Sequence, residues 1–311
     1  MFTYIVKRML SLLGSLFIVS IVIFLMMHSI PGGPFDEEKM PLSEASKARL
    51  AKQYGLDLPL HIQYLKYMGN ALRLDFGIPY QSPGETINEL LNRTWPISAL
   101  LGGLGLAIAI PLGIILGMIA AVRRNSLIDY LTSIVSVSGI TVPVYVTSML
   151  LILVFAIWLD WFPAGGWGAP RHWVLPVIAY ALFPTGVIAR YTRASLLEEL
   201  NKPFVMVLRS KGLSEFNVVV KHALRNALIP LLTVIMPMFA GIMTGSIFVE
   251  QMFRVPGLGR FFVTSIFKRD YPLLMTLILI VTFLLGLTYL VTDILYCLVD
   301  PRIRLGGSER Q

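Results

Sequence analysis

Apolar residues gather into six runs that contain no Asp, Glu, Lys or Arg: 9–30, 97–122, 131–159, 173–189, 227–249 and 271–292. Their lengths are 22, 26, 29, 17, 23 and 22 residues. A helix needs about 20 apolar residues to cross the roughly 30 Å hydrocarbon layer. Five runs meet that length. The fourth gains a turn if it runs to Tyr191 with Arg190 snorkelling to the interface. Core helices of soluble proteins seldom stay uncharged for so long. The pattern predicts an all-α polytopic membrane protein with six transmembrane helices.

The segments between the runs carry their own signals. Residues 31–96 are too long for a plain connector and predict local structure. Ser43 is placed to cap a helix ending at Gln53, with Glu44 in its first turn and Tyr54-Gly55 as the stop. A second helix fits 60–72 and a third 86–92. This region reads equally as a cap over the outer mouth or as a docking surface.

In the segment 192–226, Pro203 suits a first helical turn. A short helix over 204–211 should stop at Gly212, in the left-handed conformation that glycine adopts cheaply. Ser214 then caps another helix, with Glu215 in its first turn, running to Arg225. The result is a two-helix knob that needs a surface to pack on.

Charge adds orientation. The chain has 311 residues, 56% apolar and 14% charged, with net charge +8 and mean hydropathy +0.72. Soluble proteins carry about 25% charged residues. Lys7 and Arg8 precede the first run, which is longer than a signal h-region and has no cleavage pattern after it. An N-terminus inside then places 1–8, 123–130, 190–226 and 293–311 in the cytoplasm. These segments hold 14 basic and seven acidic residues. The outer segments 31–96, 160–172 and 250–270 hold 12 and 11. The basic excess near the span ends is therefore internal, as the positive-inside rule requires. Both termini are predicted to be cytoplasmic. The basic balance reports topology and gives no reason to expect nucleic acid as a partner.

Chemistry is sparse. No phosphate-binding Gly-Lys-Ser/Thr loop, metal-binding His pair or Gly-x-Ser-x-Gly element occurs. His28, His61, His172 and His222 are scattered, and Cys297 stands alone as a small hydrophobe. Catalytic residues, metal ligands and a bound cofactor are not expected. Glu250 and Asp293 lie at run ends, within reach of the interface, so only a modest effect is expected from Glu250→Ala. Gly and Pro inside the runs fit close helix packing, notably Gly113-x-x-x-Gly117 and Gly241-x-x-x-Gly245. They fit a hinged pathway equally well.

One pattern then stands out. Lys211-Gly212-Leu213-Ser214-Glu215 followed by His222-Ala223-Leu224-Arg225-Asn226-Ala227-Leu228-Ile229-Pro230 resembles the signature loop of binding-protein-dependent ABC importer permeases, most of all the oligopeptide/dipeptide branch. Pro31-Gly32-Gly33-Pro34, Tyr54-Gly55-Leu56-Asp57-Leu58-Pro59, Gln63-Tyr64 and Leu74-Asp75-Phe76-Gly77 extend the match. So do Val249-Glu250, Phe253-x-x-Pro256-Gly257-Leu258-Gly259-Arg260, Arg269-Asp270-Tyr271-Pro272 and Asp300-Pro301-Arg302-Ile303-Arg304. Two departures stand out. Met206, Val207 and Leu208 replace the Glu-Ala-Ala that opens the general signature, and Ser210 replaces a usual Ala.

The resemblance implies a type I ABC importer permease fold in the inner (plasma) membrane of a bacterium or archaeon. It divides the chain into a first segment and helix (1–30), an extracytoplasmic helical loop (31–93), a five-helix transmembrane domain (94–300) with a coupling loop at about 194–226, and a tail (301–311). ATPase coupling would fall to Val207, Leu208, Arg209, Ser210, Lys211, Gly212, Leu213, Ser214 and Glu215. Glu250, Phe253, Pro256, Gly257, Gly259 and Arg260 would dock a binding protein or gate the outer mouth. The implied partners are a second homologous permease, two ATP-binding subunits holding ATP and Mg, and an extracytoplasmic binding protein. Peptides are the implied cargo. Nickel or glutathione are the alternatives within the family, and a stand-alone secondary carrier or an intramembrane enzyme outside it.

Overall fold

The computed structural model describes residues 2–30, 32–35, 44–82 and 84–299. The expected Ser43 cap and the 300–304 motif lie outside these residues. Among the described residues there is no strand. The helices are α1 (Phe2–Ser29), α2 (Glu44–Tyr54), α3 (Leu60–Ala71), α4 (Ile87–Val122), α5 (Leu127–Thr141), α6 (Val144–Leu151), α7 (Val174–Leu200), α8 (Pro203–Ser210), α9 (Leu224–Met243), α10 (Ile247–Met252), α11 (Gly259–Phe267) and α12 (Tyr271–Val299). Five helical stretches are long and apolar enough to span a membrane, or six if α5 and α6 form one bent span.

The hydrophobic runs thus locate the spans but not their shapes. The third run is not one rod. It breaks between α5 and α6 with a bend of 108°. Pro143 has no N–H to continue α5 and forces Val142 into extended backbone, φ −74° and ψ 121°. Conversely, the expected 86–92 helix and the 97–122 run form one helix, α4. Thr86 starts it with a capping box: its hydroxyl accepts from Glu89 N–H at 3.2 Å, and the Glu89 carboxylate accepts from Thr86 N–H at 2.7 Å. Pro96 and Pro111 sit inside the helix without ending it. Helix α4 therefore runs unbroken past residue 93.

The core of the bundle is α4 against α7. Gly105, Gly113 and Gly117 lie along the contact at helical spacing. A Cβ on Gly105 would stand 2.8 Å from Tyr180 Cβ, and one on Gly113 2.8 Å from Ile188 Cβ. At Gly117 a Cβ would run into the Ala189 carbonyl and come within 2.7 Å of Thr192 Cβ. The Gly113–Gly117 pair packs helices, as expected. The Gly241–Gly245 pair does not. A Cβ on Gly241 would meet nothing within 4 Å, and Gly245 has φ +93° just beyond the end of α9. Gly117→Ala should therefore destabilise the chain by about 2 kcal/mol, the usual cost of overpacking. Gly241→Ala should leave stability unchanged. Thermal unfolding of the two variants in detergent checks the contrast.

The bundle has two distinct ends. At one, Ile87, Leu90 and Leu91 of α4 pack on Leu273 and Leu277 of α12. Helix α3 lies over this end, with Tyr64 hydrogen-bonded to Ser20 of α1 at 2.8 Å and Tyr67 to Thr276 of α12 at 2.9 Å. At the other, Ala121 of α4 packs on Leu196 of α7 and on Val219, Ala223 and Ala227. The 60–72 helix is where the sequence places it, and it belongs to a cap opposite the α7–α8–α9 end.

Candidate functional site

The end formed by α7, α8 and α9 differs from the expected knob. Helix α7 continues to Leu200, well past the end of its apolar run. After Gly212 the chain turns helical again at Glu215, widens over Asn217–Ala223 and passes without a stop into α9. No glycine or proline lies between Glu215 and Leu224 to interrupt it. The second short helix is therefore the start of a membrane helix. The tip is a single helix, α8, joining two long rods.

Three features fix that tip. Val205 is fully buried and anchors α8. Gly212 turns the chain at φ +76°, with nothing within 4 Å of a Cβ position. The Arg209 guanidinium then grips the Glu215 carboxylate through Nε at 2.7 Å and Nη2 at 3.1 Å, closing the turn. That ion pair holds the Glu215 carboxyl below its ordinary range. A further staple joins the two rods: Glu199 accepts from Lys202 Nζ at 2.5 Å and from Asn226 Nδ2 at 3.3 Å. Helix α5 is tied in by Asp129, which takes two bonds from Arg193 at 2.7 and 2.8 Å.

The surface so presented sets large apolar side chains beside a polar turn. Met206 is 72% exposed, Val207 53% and Phe216 70%. Ser210, Lys211, Gly212 and Ser214 are also exposed around the turn, while Leu208 and Leu213 are half-buried. All nine residues expected to couple, Val207 to Glu215, thus fall on one projection. Met206 and Phe216 stand exposed beside these nine and were not among the residues expected to couple. Both flank the recognised signature, and a bulky apolar side chain next to a polar turn is the signal that was available.

The other candidate residues lie near the opposite end of the bundle and turn inward. Glu250 is 1% exposed, and Phe253, Gly257 and Gly259 are buried as well. Pro256 and Arg260 are half-buried. Glu250 does not reach an interface. Its Oε1 accepts from the Ser98 hydroxyl at 2.7 Å and the Tyr180 hydroxyl at 3.2 Å, and its Oε2 from Gly259 N–H at 2.6 Å. Ser98 in turn accepts from Leu258 N–H at 2.7 Å, and Tyr180 from Ser246 N–H at 2.5 Å. One carboxylate thereby joins α4, α7, α10 and the start of α11.

The surrounding glycines make room for it. A Cβ on Gly257 would sit 2.5 Å from Glu250 Oε2, and one on Gly245 2.6 Å from Oε1. The Pro-Gly-Leu-Gly motif is the wall of this polar node. On the cap, Asp270 plays a similar part, accepting from Gln81 N–H at 3.1 Å, while Gln81 Nε2 donates to Pro34 O at 2.7 Å. Burial pushes the Asp270 carboxyl above its ordinary range, and the backbone N–H groups around it partly offset that.

Known proteins resemble the chain from end to end. Residues 113–305 match the family described as "Binding-protein-dependent transport system inner membrane component", and residues 1–80 match its N-terminal counterpart. The chain is 40% identical over 302 residues to the dipeptide transport system permease protein DppB of Bacillus subtilis, covering 97% of this chain and 98% of that one. It is 37% identical over 306 residues to the oligopeptide transport system permease protein OppB of Salmonella typhimurium, covering 98% and 100%. Among solved structures it superposes on a chain of the inward-facing MetNI methionine ABC transporter. The TM-score there is 0.51 at 16% identity, over 69% of this chain and 96% of that chain. That last likeness is one of fold.

Proposed function

We propose that this chain, which belongs to the binding-protein-dependent transport system inner membrane component family, is a membrane-spanning subunit of an ATP-driven importer of peptides. Its relatives at 36–40% identity are dipeptide and oligopeptide permeases. The observation that carries the coupling role is the tip: Met206 and Val207 exposed on a helix anchored by Val205, with Phe216 exposed across the Gly212 turn. Exposed apolar side chains on a rigid projection mark an interaction surface.

The partners we assign are a second, homologous permease that completes the pore, two ATPase subunits that hold ATP and Mg, and a binding protein at the cap. Both termini are then cytoplasmic, on the side of the tip. The chain itself does no chemistry. An ATPase gripping α8 would move α7 and α9 together, because Glu199, Lys202 and Asn226 staple them. Asp129 and Arg193 carry α5 along. The bundle would switch as packed rigid bodies between inward-open and outward-open states.

Co-purification in mild detergent with ATPase subunits, followed by ATP-driven dipeptide uptake in proteoliposomes, tests this reading. Uptake of nickel or glutathione in place of peptides would move the chain to another branch of the family. Transport by the chain alone, without ATP, would point to a secondary carrier.

A further inference from the structure

The cap reaches down the side of the bundle at α3. Arg8 of α1 pairs with Asp293 of α12 at 2.8 Å, which sets these two helices at a common level. At the helical rise, Ser20 stands about 18 Å up α1 from that pair and Thr276 about 25 Å up α12. Both lie inside apolar runs, 9–30 and 271–292. Helix α1 continues for about 13 Å beyond Ser20 to its end at Ser29. Ser20 and Thr276 are the residues that hold α3. Tyr64 donates to Ser20 Oγ at 2.8 Å and Tyr67 to Thr276 Oγ1 at 2.9 Å. The Ser20 and Thr276 protons go to Phe17 O and Pro272 O on their own helices, which fixes the direction of both bonds. Helix α3 thus lies beside the upper half of α1, at membrane depth, although the sequence places all of 31–93 outside.

The faces of α3 sort accordingly. Tyr64 and Tyr67 turn to α1 and α12. Gln63, Lys66 and Asn70 line a cavity of about 170 Å³ that they share with His28, Tyr54 and Asp75, toward the end of α1. Ile62, Leu65 and Leu72, at i, i+3 and i+10, form the remaining face. It is bare: Leu65 is 65% exposed and Leu72 80%. Bulky apolar side chains bared together mark a surface that something covers. A water-soluble binding protein does not reach this depth. A seam with another membrane helix favours small residues, as Gly105, Gly113 and Gly117 provide between α4 and α7. The α3 face has one glycine, Gly69, among large branched side chains. An apolar face, a polar face carrying a lysine, and tyrosines beside them form the layout of a helix lying in a lipid interface.

We propose, resting on the reading of α1 and α12 as membrane spans, that α3 is embedded in the leaflet at its end of the bundle, with Ile62, Leu65 and Leu72 against acyl chains. In the orientation assigned above this is the outer leaflet. The cap is thereby held to the bilayer at a fixed depth.

Fluorescence quenching in the assembled complex in lipid nanodiscs tests the assignment. In a Cys297→Ala background, a nitrobenzoxadiazole fluorophore is placed on Leu65→Cys or Leu72→Cys. Lys52→Cys, exposed on α2, reports water, and Ile18→Cys, exposed on α1, reports lipid. Nitroxide-bearing phosphatidylcholine should lower the emission at positions 65 and 72 at least twofold, as at position 18. Iodide should quench them at least fivefold less than position 52. Two positions guard against one variant failing to assemble. Iodide quenching equal to that at position 52 would place the face in water and overturn the inference. So would quenching by neither reagent, which would mean that the second permease covers the face. Iodide quenching abolished by added binding protein would assign the face to that protein and overturn it too. If position 18 also escapes the nitroxide, the membrane reading of α1 fails along with the inference. If position 18 is quenched and positions 65 and 72 are not, only the inference falls.

Discussion

Glu250→Ala should cost the chain about 3 kcal/mol and lower uptake at least tenfold. The carboxylate accepts three bonds in a buried site, from Ser98, Tyr180 and Gly259. Its loss strands the donors, and each buried unpartnered group costs roughly 1–3 kcal/mol. It also unties α10 and the Pro-Gly-Leu-Gly turn from α4 and α7. Glu250→Gln should be milder. Its oxygen can still take the Ser98 and Tyr180 hydroxyls, but its amide would then point N–H at Gly259 N–H. Thermal unfolding of the purified complex should rank wild type, Gln and Ala in that order, with uptake following. A silent Glu250→Ala would show that the node does not hold that end of the bundle together. The modest effect expected from the sequence is thereby replaced by a large one.

The second large effect belongs to the tip. Phe216→Asp and Met206→Asp should each leave folding and insertion intact, because exposed positions away from special features shift stability by only about 0.5 kcal/mol. Uptake should nevertheless fall at least tenfold, and the ATPase subunits should be lost on purification. An apolar side chain exposed to water contributes once a partner covers it, and a carboxylate there would have to be desolvated. Retained ATPase with retained uptake in both variants would remove Met206 and Phe216 from the coupling surface.

How far the sequence reaches is clear from individual residues. Long uncharged runs report burial in lipid, so the positions of the spans were legible. Their continuity was not. Pro111 and Pro143 are the same residue type in the same kind of run. One sits inside α4, while the other bends the α5–α6 pair by 108°. The charged segment 192–226 reads as a separate two-helix knob, because charge ends the apolar runs that mark the spans. In the structure it is mostly helix projecting from the bundle, with α7 running to Leu200 and a wide helical turn leading into α9.

The turn at the tip was legible because Gly212, followed by Ser214 and Glu215, announces it. Glu250 was expected within reach of the interface and is instead buried. Position along the chain gives depth in the membrane but not which way a side chain faces. Only the three-dimensional arrangement brings Ser98, 152 positions away, to its carboxylate.

The coupling turn itself offers the most direct test. Gly212 sits at φ +76° with open space around it. A valine there is strained by its backbone and clashes with nothing in this chain. ATP-dependent peptide uptake should be measured in proteoliposomes holding the complete importer, with wild-type chain and with Gly212→Val. Wild type should accumulate peptide only with ATP and binding protein present. Gly212→Val should insert normally yet fail to accumulate it. Full ATP-driven uptake by Gly212→Val, or uptake by the wild type without ATP, would contradict the assignment of this chain as a permease powered through its cytoplasmic tip.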